Sequence, residues 1–417
     1  MKPRAKRPVR VALLLSALLL LAGLAACRRG DRSLTFVYIE RLRSQTAGLL
    51  QGEPYVSAPE ESAPEELTWD PEYRLELAVP ELQGELELPI QGATGYTTVV
   101  LNLWEDSARR GEILDQLAPG TAFTVLEEEG DWWLVQTQAH TGWVEHRFCM
   151  VNLPDVIPSI VYNDTNAYSS VFLTSGKDIP GITGQALYSA RAYNPRLDRE
   201  EFIMPVLYAM SKRICQAQQA ALAEGNTLVL YEGYRPYETQ LEVSRAVASM
   251  AKTDPEVQAG INSAPWSIGW FIATDLSNHQ WGFAIDVSLA RVTQARTWHL
   301  DGRVYLEALE YQEYTMPTPI HELSQAAVTF TAPVNSFSAN WRSAALAESM
   351  RTCQPAMALQ GYCTGAELSP LASEWWHFND LQAWSQVRGN LGKGGYTVSE
   401  CRSLLPQEAR ALAGLTQ

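Results

Sequence analysis

Whatever fold this chain adopts must bring together two polar motifs that lie far apart in sequence. Ser277-Asn278-His279-Gln280-Trp281-Gly282-Phe283-Ala284-Ile285-Asp286 supplies a His and an Asp seven positions apart, and Glu374-Trp375-Trp376-His377 supplies a Glu and a His three apart. Asp286 sits among Ala284, Ile285, Val287 and Leu289, and a carboxylate in such an apolar strand needs a partner, because an unpaired buried charge is costly. His279 precedes the turn residue Gly282 and Asp286 follows it, so the two can converge on one ion. Two imidazoles and one carboxylate can hold zinc with an open fourth position, and the spare Glu374 can activate a water there. The bland alternatives are a surface or capping role for His279, and a Trp375-Trp376 anchor that leaves Glu374 and His377 in solvent. Hydrolysis of an amide bond is the leading expectation for the C-terminal half.

At 417 residues two or three units are expected. The net charge of −15 argues against nucleic acid as a partner. Much of that charge lies between Glu53 and Glu87 in a Pro-containing stretch, which reads as a spacer property. Lys2, Arg4, Lys6, Arg7 and Arg10 form a basic head, and Val11 to Ala26 is an apolar run short for a membrane span but suited to a signal core. Leu24-Ala25-Ala26-Cys27 resembles a bacterial lipobox. That resemblance implies cleavage before Cys27, its lipidation, and an extracytoplasmic protein anchored to the cell membrane as a lipoprotein. Five further cysteines cannot all pair with one another; Cys353 and Cys363 are close enough in sequence to bridge, and the absence of a C-x-x-C pair argues against a thiolate zinc site.

The expected organisation is a signal segment (1–27), a polar and acidic linker (28–92), a small all-β unit (93–153) and an α+β unit (154–417). Tyr73 to Leu88 alternates well enough to hide a strand within the linker. Residues 97–103, 111–117, 121–126, 132–135 and 142–144 read as short strands separated by Pro/Gly turns, the pattern of a small barrel. "LNLW", "GDWWLV" and "GWV" occur in an order that resembles bacterial SH3-like domains, which implies possible cell-wall binding; Trp132 and Trp143 read first as strand-packing aromatics. In the last unit, Phe202 to Ala223 has helical periodicity, Thr227 to Tyr231 and Phe283 to Leu289 read as strands, and Tyr237 to Ala251 reads as a helix. His140, His146 and His299 read as surface residues.

Gly233-Tyr234-Arg235-Pro236, the His279/Asp286 motif and Glu374-Trp375-Trp376-His377 together resemble the zinc D-alanyl-D-alanine dipeptidases of the VanX type, and more distantly the VanY-type D,D-carboxypeptidases, over residues 155–386. The resemblance implies an α+β, hedgehog/D,D-peptidase-like fold and Zn2+ as cofactor. It further implies His279, Asp286 and His377 as zinc ligands, Glu374 as general base, Arg235 as stabiliser of the negative oxygen, and Ser277 as a substrate contact. The implied substrates are the free D-Ala-D-Ala dipeptide or, as the runner-up, a peptidoglycan stem peptide; a wall-binding lipoprotein that has lost catalysis is the alternative of another class. Met316-Pro317-Thr318-Pro319-Ile320-His321 departs from the family, which carries an Asp for the dipeptide ammonium where His321 stands, so the resemblance places His321 beside Ser277 among the substrate-binding residues. An imidazole cannot replace that anion, and Glu322 next door is the candidate substitute.

Overall fold

The structure, a computed structural model, describes residues 67–414. The signal segment, Cys27 and the linker through residue 66 lie outside the described residues. No helix among the described residues is long and apolar enough to cross a membrane.

Residues 94–152 form the greater part of an eight-stranded antiparallel sheet. Its strand order is Pro205–Leu207, Cys149–Asn152, Thr94–Thr97, Ala122–Glu129, Trp132–Gln136, Thr141–Glu145, Leu101–Trp104, Ile113–Leu117. Alternation makes one face apolar: Leu101, Leu103, Trp133, Val135 and Val144 point inward and are buried. The expected strand over 97–103 is broken, since Thr97 and Thr98 turn to bond Thr121 and Phe148 before the chain restarts at Leu101 on another neighbour. Trp133 is in the core, while Trp132 is half-buried with the Arg109 guanidinium 5.0 Å from its ring centre. His146 is not a free surface group: its ring lies against Trp133 and Tyr208.

Two features tie this sheet to the rest. Pro205–Leu207 comes from the C-terminal unit yet pairs with Cys149–Asn152. The hydrophobic core is also continuous, running from Phe123 and Trp133 to Ile285 and Trp376. The end of the expected linker belongs to that core as well. Leu86, Leu88 and Ile90 are buried, and Arg196 donates to the carbonyls of Pro89 and Gln91. Apolar residues at every second position explain the burial, but no strand forms between Tyr73 and Leu88 because the backbone finds isolated partners, such as Leu88 N–H to Val156 O, instead of a ladder.

The second sheet runs Ser369–Pro370, His377–Asn379, Ala284–Leu300, Asn226–Glu232, Val161–Tyr162, with Arg303–Glu313 also pairing with Ala284–Leu300. Asn226–Glu232 is buried along its whole length, as its run of Leu, Val and Tyr demands. The helix expected from Phe202 begins at Tyr208 and ends at Ala223. Pro205 to Leu207 is drawn into the first sheet, and Leu207 N–H bonds Gly282 O, so helix can start only after it. Tyr237–Met250 follows Pro236 at its N-cap. Cys149, Cys215, Cys353, Cys363 and Cys401 are free thiols, so Cys353 and Cys363 form no bridge.

Candidate metal centre

Sheet register builds the site. Asp286 lies opposite His377 on one side and opposite Glu232 on the other, the latter pairing next to a bulge. Directly paired residues share a face, so these three side chains form a row across adjacent strands. His279 comes from the short 3-10 turn Asn278–Trp281 just before the Asp286 strand. Gly282 ends that turn at φ 71°, where a Cβ would stand 2.8 Å from Met150 Sδ; both the left-handed backbone and the close approach require glycine.

His279, Asp286 and His377 are all buried, and their donor atoms converge. His279 Nε2 is 3.1 Å from His377 Nδ1 and 3.4 Å from Asp286 Oδ1, and His377 Nδ1 is 3.0 Å from the same oxygen. Ligands roughly 2.0–2.1 Å from a tetrahedral ion stand about 3.3 Å from one another, so the set fits a small divalent cation. The remaining nitrogens are anchored by hydrogen bonds. His279 Nδ1–H donates to Gly233 O at 2.7 Å. His377 Nε2–H donates at 3.0 Å to Asn379 Oδ1, which also accepts from Asn278 Nδ2. Each ring therefore has one nitrogen anchored outward, as metal-binding imidazoles require, and leaves the other facing the converging donor atoms.

Burial alone would raise the Asp286 carboxyl, but His279, His321 and His377 around it hold it well below the usual carboxylate range. Glu374 stands beside the triad, its Oε2 3.6 Å from His377 Nδ1. Burial pushes its carboxyl up to about 8, with Asp286 and Glu232 adding to the rise and His377 and Arg235 opposing it.

Arg235 is buried against the outer side of Asp286. Its Nε and Nη2 both donate to Glu232 Oε2, Nη2 also donates to Asp286 Oδ2 at 3.3 Å, and Nη1 donates to Gln240 Oε1. A guanidinium has five N–H groups, so one on Nη1 remains for the cleft that Arg235 lines. Glu232, Asp286 and His321 are also close enough to form a second cation site. The Arg235 guanidinium already bridges Glu232 and Asp286, which supplies the positive charge there.

The cleft above the triad has a volume of about 260 Å³ and is walled by Phe172, Trp270, Phe271, Ser277, Asn335, Phe337 and Trp376. Ser277 lines it with a buried Oγ that has no hydrogen-bond partner. The expected substrate role of His321 is not supported by its position. It is fully buried behind Asp286, stacked on Phe172 with ring centres 4.4 Å apart, and its Nε2 is 3.1 Å from Asp286 Oδ2. Glu322 offers no substitute, because its carboxylate accepts from Ser175 N, Gly176 N and Ser324 Oγ. Glu232, Gln240 and Asn379 were not singled out from the sequence. Asn379 had a signal, standing two residues after His377 and hence on the same face of a strand. Glu232 had none without knowing which strand neighbours Asp286.

Residues 99–148 match the family model of the bacterial SH3 domain, so the strand-rich part of this α+β chain is SH3-like. No curated protein matches the chain.

Proposed function

We propose that this protein is a zinc-dependent peptidase that hydrolyses D-Ala-D-Ala bonds at the outer face of a bacterial cell membrane, where the Cys27 lipid anchor would hold it and the SH3-like part would address the wall. The observation that carries the reading is the convergence of the buried His279 Nε2, His377 Nδ1 and Asp286 Oδ1, with Glu374 beside them. The N-terminal signal and the three-motif resemblance support the location and the substrate.

Zinc bound by His279, Asp286 and His377 would supply Lewis acidity to the scissile carbonyl and to the attacking water. Glu374 takes a proton from that water and passes it to the leaving amine. Its position favours this role, since the buried carboxylate stands beside the triad with Oε2 3.6 Å from His377 Nδ1. The spare Nη1 N–H of Arg235 donates to the oxygen on which negative charge develops, and Glu232 and Gln240 hold the guanidinium so that it need not reorganise. Ser277 Oγ, otherwise without a partner, is available to the substrate backbone or carboxylate.

A second form of the reading has its own support. With His321 behind Asp286 and Glu322 engaged elsewhere, the cleft offers no spare carboxylate to the ammonium of a free dipeptide. That favours D,D-carboxypeptidase action on a longer peptide.

Zinc content and D-alanine release test the proposal together. The zinc-loaded protein, purified without its first 27 residues, is expected to hold one zinc and to release D-alanine from D-Ala-D-Ala or from a stem pentapeptide. Glu374→Ala should retain zinc and lose turnover, whereas His377→Ala should lose metal affinity. A protein that takes up no zinc would be better read as a wall-binding lipoprotein.

A further inference from the structure

The catalytic cleft does not end at the triad. Asn278, Asn335 and Phe337 line it, and the same three residues line a second, more open groove that continues past Trp281, Trp384, Arg388 and Leu391. The groove is aromatic and carries a single charged side chain. Phe337 is 40% exposed and packs edge-on against Trp384 with ring centres 4.8 Å apart. Trp281 is held in place by its Nε1–H, which donates to Gly392 O at 2.8 Å. Arg388 is exposed, its guanidinium lies 5.6 Å from the Trp384 ring centre, and it has no carboxylate partner among the described residues.

The charged groups of the cleft itself are Arg235, Asp286 and Glu374, beside the two ligand histidines. Asp286 belongs to the triad, Glu374 is the base, and Arg235 is largely engaged by Glu232 and Gln240. A free substrate ammonium at this point would meet no carboxylate reserved for it. A substrate whose amino side continues as an amide avoids that unpaired charge, and the continuous groove offers space for the continuation.

We infer, resting on the peptidase reading above, that the groove of Trp281, Phe337, Trp384 and Arg388 is a subsite for the amino-side extension of a peptide ending in D-Ala-D-Ala, and that Arg388 pairs with a carboxylate on that extension. The aromatic rings cover the peptide backbone and aliphatic stems, and the free guanidinium selects acidic over neutral sequences. The substrate class is therefore an acidic oligopeptide and not the free dipeptide.

The test uses two pentapeptides ending in D-Ala-D-Ala, alike except for glutamate or glutamine at the second residue, and the free dipeptide. Binding is measured by tryptophan fluorescence and calorimetry on zinc-loaded Glu374→Gln protein, and turnover on the unsubstituted protein. The glutamate peptide is expected to bind roughly five-fold tighter than the glutamine one, the scale of one exposed ion pair. Arg388→Gln should remove that preference and Arg388→Lys should keep part of it. Equal affinity for the two pentapeptides, a preference that survives Arg388→Gln, or turnover of the free dipeptide as efficient as that of the pentapeptides would overturn the subsite while leaving the peptidase reading in place. Cleavage of none of the three by zinc-holding protein would overturn both.

Discussion

Asp286 is gripped on both of its oxygens, and the two grips do different things. Oδ1 faces His279 and His377, while Oδ2 accepts from Arg235 and lies 3.1 Å from His321 Nε2. In the proposed zinc site Asp286 would bind through one oxygen while the other is fixed, and partners of this kind typically contribute about 10–100-fold in metal affinity. His321→Phe is accordingly expected to weaken zinc binding by roughly that factor, measured by chelator competition, with His321→Gln recovering much of it through its amide N–H. Equal zinc affinity in the Phe variant would remove His321 from any positioning role. The backbone adds a hint of constraint, since His321 adopts φ 62°, a left-handed conformation uncommon for a residue with a Cβ. The convergent His279, Asp286 and His377, and Glu374 beside them, could be picked out from the sequence because His is scarce in this chain and because a charged residue in an apolar run demands explanation. The place of His321 could not, since it depends on which side of a strand a distant loop passes.

At the scale of elements, the stretch before the barrel shows where composition misleads. Glu87 sits in an acid-rich segment that reads as spacer, yet it is buried and bonded to Ser159 and Gln219. Burial pushes its carboxyl from 4.5 to about 7. The unfolded chain ionises Glu87 near 4.5 while the folded chain ionises it only near 7, so its effect on stability is neutral below the lower value. It becomes increasingly unfavourable as pH rises between the two, then constant above about 7. Glu87→Gln should therefore gain stability relative to the unsubstituted protein as pH is raised from 5 to 8, by up to about 3 kcal/mol. Denaturant titrations at the two pH values check this; a difference that does not change with pH would contradict the buried, late-ionising carboxyl. Strands with Pro/Gly punctuation and two of the long helices were legible from local pattern. The start of the helix at Tyr208 was not, because Pro205–Leu207 is claimed by a strand that lies far away in sequence.

Across the whole described molecule, the SH3-like part and the site-bearing part are one folded body with a strap over it. Residues 400–404 run along the SH3-like sheet: Tyr96 OH donates to Glu400 O, Thr124 Oγ1 to Arg402 O, and Leu404 N–H to Gly92 O, while Ser403 joins Thr94 and buried Asp155. Just upstream the same segment grips the loop that carries Arg235. Tyr234 OH donates to the carbonyls of Gly394 and Tyr396 and stacks on the Tyr396 ring at 4.8 Å, and Tyr237 N–H bonds Gly394 O. A chain ending before Gly394 would therefore lose barrel partners and the support of Arg235 together. It is expected to unfold at a lower temperature and, where still folded, to lose kcat, because Arg235 adjoins Tyr234, which the strap holds. Calorimetry of the zinc-loaded intact protein should show one transition, as a continuous core and a shared sheet require. Two well-separated transitions, or a truncated chain with unchanged melting temperature and kcat, would mean that barrel and site are merely neighbours.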